Sequence, residues 1–319
     1  MPQSQPEILL EDSEGIARAA ALLTQGALVA IPTETVYGLA GDARNDTACA
    51  RIFEAKGRPR FNPLIVHLPG LDAVAEIAEL SNSARDLAQA FWPGPMTLVL
   101  PLKPDHGLSP LVTAALDTVA IRLPAHPTAR AVLTAFDGPI AAPSANPSGQ
   151  ISPTTATHVI DGLGDRVAAV LDAGPCAVGL ESTILAPSDA GTRLLREGGL
   201  PREAIEPLTG PLITDTTPGR IEAPGQLSRH YAPSVPMQLN APLDDMSAVR
   251  VGFTEAEGGD LALSESGDLV EAAAALFRVL HEADALARTQ GKTVIHVAPV
   301  PETGLGRAIN DRLRRAAAP

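Results

Sequence analysis

Apolar runs of strand length recur through the first two thirds of this chain. Each is followed or broken by Pro, Gly, small hydroxyls and fixed cations at short spacing. ALVAIPT runs into PTETVYGLAGDA, KGRPRF precedes NPLIVHL, and WPGP leads into MTLVLPL. VAIRLP carries an Arg inside its apolar run, PIAAPSA opens into APSANPSGQISPT, and LESTIL and LREGG complete the set. Segments of helical periodicity lie between them. This alternation predicts an α/β domain on a mixed sheet, with the polar clusters in loops at strand ends. The clusters hold more polar detail than a core needs, and they have the chemistry of a preorganised pocket for an anionic ligand.

Helices are expected from Ser13 to a stop at Gly26, from Asp46 to Lys56-Gly57, and over Ala73–Leu80, Ala84–Phe91 and Thr128–Phe136. Another is expected over Pro153–Ile160, with Pro in its first turn. From Thr209 to Pro236 the periodicity fails, and a Pro/Gly/Thr-rich stretch reads as a linker. Its interior RHYAP is too specific for a passive tether. VRVGF, a long Ala/Leu helix over Asp268–Ala287, KTVIHVAPV and a last helix over Leu305–Ala318 predict a smaller α/β domain in three layers. The expected division is therefore 1–208, a linker over 209–236, and 237–319, in keeping with a chain of 319 residues.

Aromatic residues make up only 3% of the chain, so the core must be aliphatic and rich in Ala. A formal net charge of −13 disfavours broad binding to nucleic-acid phosphates. It leaves room for a local basic cleft, and Arg51, Lys56, Arg58 and Arg60 stand against Glu54 alone in their segment. Cys49 and Cys176 are far apart, lack CxxC spacing, and read as buried small side chains. The start MPQSQPEILLEDSEG lacks a basic region followed by an apolar stretch, and no apolar run reaches about 18 residues. Cytoplasmic residence without membrane contact is the expectation.

Each motif has two readings. Lys56-Gly57-Arg58-Pro59-Arg60 is either a solvated basic loop or a tight turn presenting a guanidinium fork to phosphate. Pro143–Gly149 is either an ordinary turn or a loop of hydroxyl, amide and backbone donors for phosphate or ribose oxygens. Thr33-Glu34-Thr35 either caps a strand end or orients a small polar substrate. Arg122, inside an apolar strand, needs an anion, which is either a structural Asp or Glu or the carboxylate of an amino acid. Ser182-Thr183 and Arg196 have the same double reading. No GxxxxGK[ST], HExxH or GxSxG occurs, and the seven His are scattered.

In order and wording the seven segments resemble the YrdC family of threonylcarbamoyl-AMP synthases, in its longer two-domain form. The resemblance covers Glu11 to Pro236 by motif. It implies a twisted mixed sheet with a deep cationic cleft, followed by a C-terminal α/β domain that is Rossmann-like. It implies condensation of L-threonine, bicarbonate (or carbon dioxide) and ATP to threonylcarbamoyl-AMP, with release of pyrophosphate. The product would pass to a separate tRNA threonylcarbamoyl-transferase complex. The family's K-x-R…S-x-N tetrad falls on Lys56, Arg58, Ser144 and Asn146, which would hold the ATP phosphates. Thr35, His67, Arg122, Ala142 and Ser182 match threonine-pocket positions. Asn62, Thr118, Ser152, Arg196 and the linker Tyr231 match nucleotide-side positions, and the segment around His230-Tyr231 would act as a lid. Mg²⁺ would be held mainly by the ATP phosphates, with no protein metal site. The expected particle is a monomer or weak dimer without stable nucleic-acid binding. The competing reading is a non-catalytic module for double-stranded RNA or nucleotide, against which the net charge argues. A carbamoyl-phosphate transferase of the hydrogenase-maturation type would need zinc-finger cysteines and an acylphosphatase segment, which this sequence lacks.

Overall fold

The computed structural model of the protein describes residues 5–214, 223, 225 and 230–319. Residues 215–222, 224 and 226–229 of the expected linker lie outside this description, whereas His230 and Tyr231, around which a lid is expected, lie within it. The first domain begins with β1 (Glu7–Leu10), α1 (Ser13–Thr24), β2 (Val29–Ile31), β3 (Gly38–Asp42), α2 (Asp46–Lys56) and β4 (Ile65–His67). It continues through α3 (Leu71–Ile77), α4 (Asn82–Phe91), β5 (Met96–Pro101), α5 (Pro110–Thr113), β6 (Thr118–Arg122), α6 (Pro127–Phe136) and β7 (Ile140–Ala141). It closes with α7 (Ala156–Leu163), β8 (Ala169–Asp172), β9 (Thr183–Ser188), β10 (Gly191–Arg196) and α8 (Arg202–Thr209). The second domain holds β11 (Met237–Leu239), β12 (Val249–Thr254), β13 (Leu261–Ser264), α9 (Leu269–Gln290), β14 (Ile295–Val297) and α10 (Gly306–Ala316).

Ten strands form one mixed sheet in the order β1-β8-β2-β3-β7-β4-β6-β5-β9-β10, and four form a parallel sheet, β11-β14-β12-β13. Side chains alternate across the large sheet, as the two-residue period of a strand requires. Val29 and Ile31 join a core with Leu23 of α1 and Val132 and Phe136 of α6. Leu28 and Ala30 join the opposite core, with Ile52 and Phe53 of α2 and Leu87 of α4. Local signals set the helix ends. Asp12 accepts the Gly15 N–H at 2.8 Å, and Asn45 accepts those of Thr47 and Ala48 at 2.9 and 3.1 Å. Gly57 closes α2 in the left-handed region (φ 60°), which swings the chain from Lys56 to Arg58. Both cysteines are buried and free.

Several elements differ from expectation. The helix expected over Pro153–Ile160 starts at Ala156, because the Thr155 side chain caps it by accepting the His158 N–H. The Pro153 carbonyl instead accepts the Tyr37 N–H at 2.9 Å. β1 and β3 were not evident as strands, since Glu7–Leu10 sits in a polar terminus and GLAGD is rich in Gly. The second domain has two layers and not three. Val249, Val251, Ile295 and Val297 face one cluster with α9 and α10, which also touch each other. The other face carries Arg250 in register with His296, which is buried 4.0 Å from Asp245, and no described α-helix joins that face. Among the described residues no helix is long and apolar enough to cross a membrane.

α9 packs its Ala-rich face against the first domain. Gly179 (φ 71°) lies so close that a Cβ there would stand 2.5 Å from backbone atoms of Ala273 and Ala274. His158 of α7 stacks on His281 of α9 with ring centroids 3.9 Å apart, and His281 Nε2 donates to the Ser152 carbonyl at 3.2 Å. Burial, then the neighbouring His281 and Arg278, pushes the His158 pKa from 6.5 down to about 3. Burial also lowers that of His281, against the pull of Asp284 and Asp161.

Two predictions follow from this contact. Gly179→Ala meets both left-handed strain and overpacking and should cost about 2–4 kcal/mol in chemical denaturation. The second concerns pH. The unfolded chain takes up a proton at His158 near pH 6.5, while the folded chain refuses it until about pH 3. Stability must therefore fall as the pH is lowered through that window. His158→Phe, which removes one titrating group, should lessen the dependence of the urea midpoint on pH between 6.5 and 4, and His67 and His230, also pushed down to about 3 by burial, should keep the remainder.

Candidate active site

A cavity of about 50 Å³ lies on the face of the large sheet over β4 and β6, and its wall follows β4. Ile65 and His67 of β4 point into it, and the register of the parallel pair sets Ala120 beside Ile65 and Arg122 beside His67. At the far end of β4, Arg58 donates from Nε to the Asn62 carbonyl (3.2 Å) and from Nη2 to the Pro63 carbonyl (2.8 Å). The cavity therefore has two ends, one at His67 and Arg122 and one at Arg58. Ser144, Ser182, Arg196, Gly225, His230 and Tyr231 complete its lining around Thr35 and Ala142.

Arg122 lies in the strand as expected, and it meets a structural carboxylate, the first of the two partners that the sequence allowed for. Nη1 donates to Thr35 Oγ1 at 2.7 Å, Nε donates to the Gly94 carbonyl at 3.3 Å, and Nη2 stands 2.7 Å from Glu34 Oε1. Nη2 carries two N–H groups, so its contact with Glu34 leaves one donor without a partner. Thr33 Oγ1 donates to the Val36 carbonyl at 2.6 Å, so the 2.8 Å contact between the two hydroxyls must use the Thr35 proton. Thr35 thus donates to Thr33 and accepts from Arg122, which fixes its orientation. Burial works against ionisation of Glu34, but the Arg122 charge outweighs it and holds the carboxyl below the usual range. Burial, reinforced by Arg122, pushes His67 down to about 3, so it is neutral at pH 7, and its buried Nδ1 has no partner.

At the other end, burial and then Arg196 lower the Arg58 pKa to about 9, which leaves it charged at pH 7. Arg196 donates from Nε and Nη2 to the Ser182 carbonyl (3.1 and 2.9 Å) and from Nη2 to Ser182 Oγ (3.2 Å). Ser182 Oγ also lies 2.7 Å from Thr97 Oγ1. Lys56 sits behind the cavity wall. Its ammonium donates to the carbonyls of Ser144 (2.6 Å) and Asn146 (2.5 Å), tying α2 to the Pro143–Gly149 loop. Burial, then the Arg58 charge, pulls the Lys56 pKa well below its ordinary value. Asn146 spends its amide N–H groups on the carbonyls of Pro147 and Gln150, and its buried Oδ1 has no partner.

The structure thus brings Thr35, Arg58, His67, Arg122, Ala142, Ser144, Ser182, Arg196 and Tyr231 to one cavity. Lys56, Asn62, Asn146 and Ser152 stand one layer back, holding or contacting residues of the wall. Thr118 opens β6 on the face of Ala120 and Arg122 but does not line the cavity. Two carboxylates were missed. Glu34 was visible only as the middle residue of Thr33-Glu34-Thr35. Glu181 lines the cavity, where its Oε1 accepts from Ser152 Oγ at 2.6 Å and its Oε2 from Arg312 Nε at 3.0 Å. With Arg58, Arg122 and Arg196 against Glu181, the lining is net positive, and among the described residues three of its polar atoms, Arg122 Nη2, His67 Nδ1 and His230 Nδ1, keep a hydrogen-bonding site without a partner.

The chain matches two family descriptions in succession. Residues 21–198 match the Sua5/YciO/YrdC family, described as telomere recombination, and residues 200–318 match the threonylcarbamoyl-AMP synthase C-terminal domain. The chain is 42% identical to the threonylcarbamoyl-AMP synthase of Bacillus subtilis over 95% of its own length and 92% of the relative's. It is 40% identical to that of Pyrococcus abyssi over 93% and 92%. The crystal structure of P. abyssi Sua5 complexed with L-threonine superposes with a TM-score of 0.89 at 36% identity, covering 98% of each chain. Sequence over nearly the full length and the fold of both domains agree: the chain belongs to the Sua5/YrdC family of threonylcarbamoyl-AMP synthases, in its two-domain form.

Proposed function

We propose that the chain condenses L-threonine, bicarbonate or carbon dioxide, and ATP into L-threonylcarbamoyl-AMP and releases pyrophosphate. The observation that carries this reading is the two-ended cavity along β4, in a chain so close to synthases over nearly its whole length. One end suits an amino acid: Arg122 offers an unfilled donor to a carboxylate, and neutral His67 and oriented Thr35 offer polar contacts beside it. A relative with this fold is known in complex with L-threonine. The other end suits phosphates: Arg58, Arg196 and the hydroxyl of Ser144 converge there, with the Lys56 charge behind.

In this reading the neutral amine of threonine attacks carbon dioxide, a proton leaves, and a carbamate forms. Its oxygen then attacks the α-phosphorus of ATP as the bond to the β-phosphate oxygen breaks, and pyrophosphate departs with the electron pair. Such a transfer depends on positioning and on neutralising charge at the leaving group. Arg58 would meet that charge directly. Lys56 would act from behind, as a buried cation holding the Ser144–Asn146 loop in place. Magnesium would arrive on the ATP phosphates. The carboxylates around the cavity do not fit a protein-held metal, because Glu34 is paired with Arg122 and Glu181 with Arg312. We assign no step to it. The mixed anhydride product needs shelter from water. Gly225, His230 and Tyr231 line the cavity, and a space of about 50 Å³ cannot hold both substrates, so this segment would open for them and close over the product. The product is suited to hand its threonylcarbamoyl group to a tRNA-modifying transferase. A surface for double-stranded RNA has less support, since the converging cations are buried around a cavity.

The reading is tested by pyrophosphate release from Mg-ATP with threonine and bicarbonate each present or omitted. Release should require both. Release with neither would make the protein a plain nucleotide hydrolase. Arg58→Ala should lower kcat/KM by about 100-fold or more, the scale of losing a charge-stabilising donor in a transition state. Turnover equal to wild type would remove Arg58 from the leaving-group role.

A further inference from the structure

Among the described residues, the largest fully buried side chain belongs to the C-terminal domain and reaches the first one. Arg312 of α10 is 0% exposed. Its Nε donates to Glu181 Oε2 at 3.0 Å, and Nη1 donates to the Glu197 carbonyl at 2.7 Å and to Asp311 Oδ2 at 3.0 Å. Its Cζ stands 5.4 Å from the centroid of the Tyr231 ring. Glu181 and Tyr231 both line the cavity, whereas Arg312 does not. Glu197 directly follows Arg196 in the chain, so the bond to its carbonyl fixes the backbone beside that guanidinium.

We propose that Arg312 is a positioning residue for the nucleotide end of the site: it engages the Glu181 carboxylate and the Tyr231 ring so that neither opposes the incoming phosphates. The inference rests on the synthase reading above. The physical argument concerns a buried anion. Glu181 is 6% exposed and faces a cavity built to receive a polyanion. A carboxylate there is tolerable only if a cation holds it, and the choice lies between Arg312 and Arg196, the two guanidinium groups whose fields reach it. Held by Arg312, it leaves Arg196 seated on Ser182, at the junction of the two ends. Without Arg312, it would either pull Arg196 off Ser182 or present an uncompensated negative charge to the phosphates. Either result weakens nucleotide binding. The threonine end is organised by Glu34, Thr35, His67 and Arg122, which have no contact with Arg312, and it should be spared. This gives the C-terminal domain a direct part in the reaction, delivered through one side chain.

The test uses the full chain and the pyrophosphate-release assay, with KM measured separately for ATP and for threonine. Arg312→Leu should raise KM for ATP about tenfold, a change worth about 1.4 kcal/mol, and leave KM for threonine within about twofold. Adding Glu181→Gln to that variant removes the stranded charge and should recover much of the ATP affinity. A merely structural role predicts neither the split nor the recovery. Should Arg312→Leu fail to fold, Arg312→Lys retains the charge but not the fork. It should raise KM for ATP about two- to threefold and leave threonine unaffected. With an active wild type, equal changes in both KM values, no change, or no recovery in the double variant would overturn the inference. Wild-type release that is independent of threonine and bicarbonate would remove the synthase reading itself, before any variant is compared.

Discussion

Placing guanidinium and ammonium groups inside an aliphatic α/β fold costs several kcal/mol each unless other groups take the place of water. Lys56, Arg58, Arg122, Arg196 and Arg312 are all buried here, and the architecture around the cavity answers that demand. Backbone carbonyls meet Lys56 and Arg58, a carboxylate and a threonine hydroxyl meet Arg122, and the backbone and hydroxyl of Ser182 meet Arg196. Few of these partners are near in sequence. The loops that carry them must be stiff, and the Pro and Gly residues at strand ends supply that stiffness. The cost of burial is thus converted into a preset positive field, which needs no rearrangement when an anion enters.

The period-2 pattern of the strands places that field. Ile65 and His67 share a face because they are two residues apart, and the parallel register sets Ala120 and Arg122 alongside. A slip of one residue in β4 or β6 would turn His67 or Arg122 to the opposite face, into an apolar core that includes Leu64, Val66 and Ile121. Packing of that core therefore locks the register of the site. The separation of its two ends is a property of the sheet and does not depend on any one loop.

Much of this was legible in the chain itself. The alternation of apolar runs and helical segments placed most of the first domain's elements, because strands buried on both faces read as continuous apolar stretches. The cationic and hydroxyl residues at strand ends were visible because polar groups in such places need a reason. What stayed hidden depended on distant partners. Glu34 pairs with a residue 88 positions away and Glu181 with one 131 positions away, and no local pattern marks either pair. GLAGD became a strand because β2 and β7 flank it, against the low strand propensity of Gly. The second domain was expected in three layers from its alternating strand and helix segments. Arg250 on the other face of its sheet, held by Asp260, keeps that face polar without a described helix over it.

The same reasoning explains why the two domains need each other. Alone, the first domain would expose the surface around Gly179 and Leu180 that α9 covers, and it would leave Glu181 with one serine hydroxyl as its fixed partner. Alone, the second would leave Arg312 with Asp311 as its one carboxylate partner and without Glu181 and the Glu197 carbonyl. Each domain carries a buried charge of opposite sign, and the two meet at 3.0 Å across the domain contact. A pair of this kind adds little net stability compared with an apolar contact of equal size, but it penalises every misaligned docking. Its value lies in specificity: it permits one relative placement of α10 and β9, and that placement is the one that lays Tyr231 over the cavity.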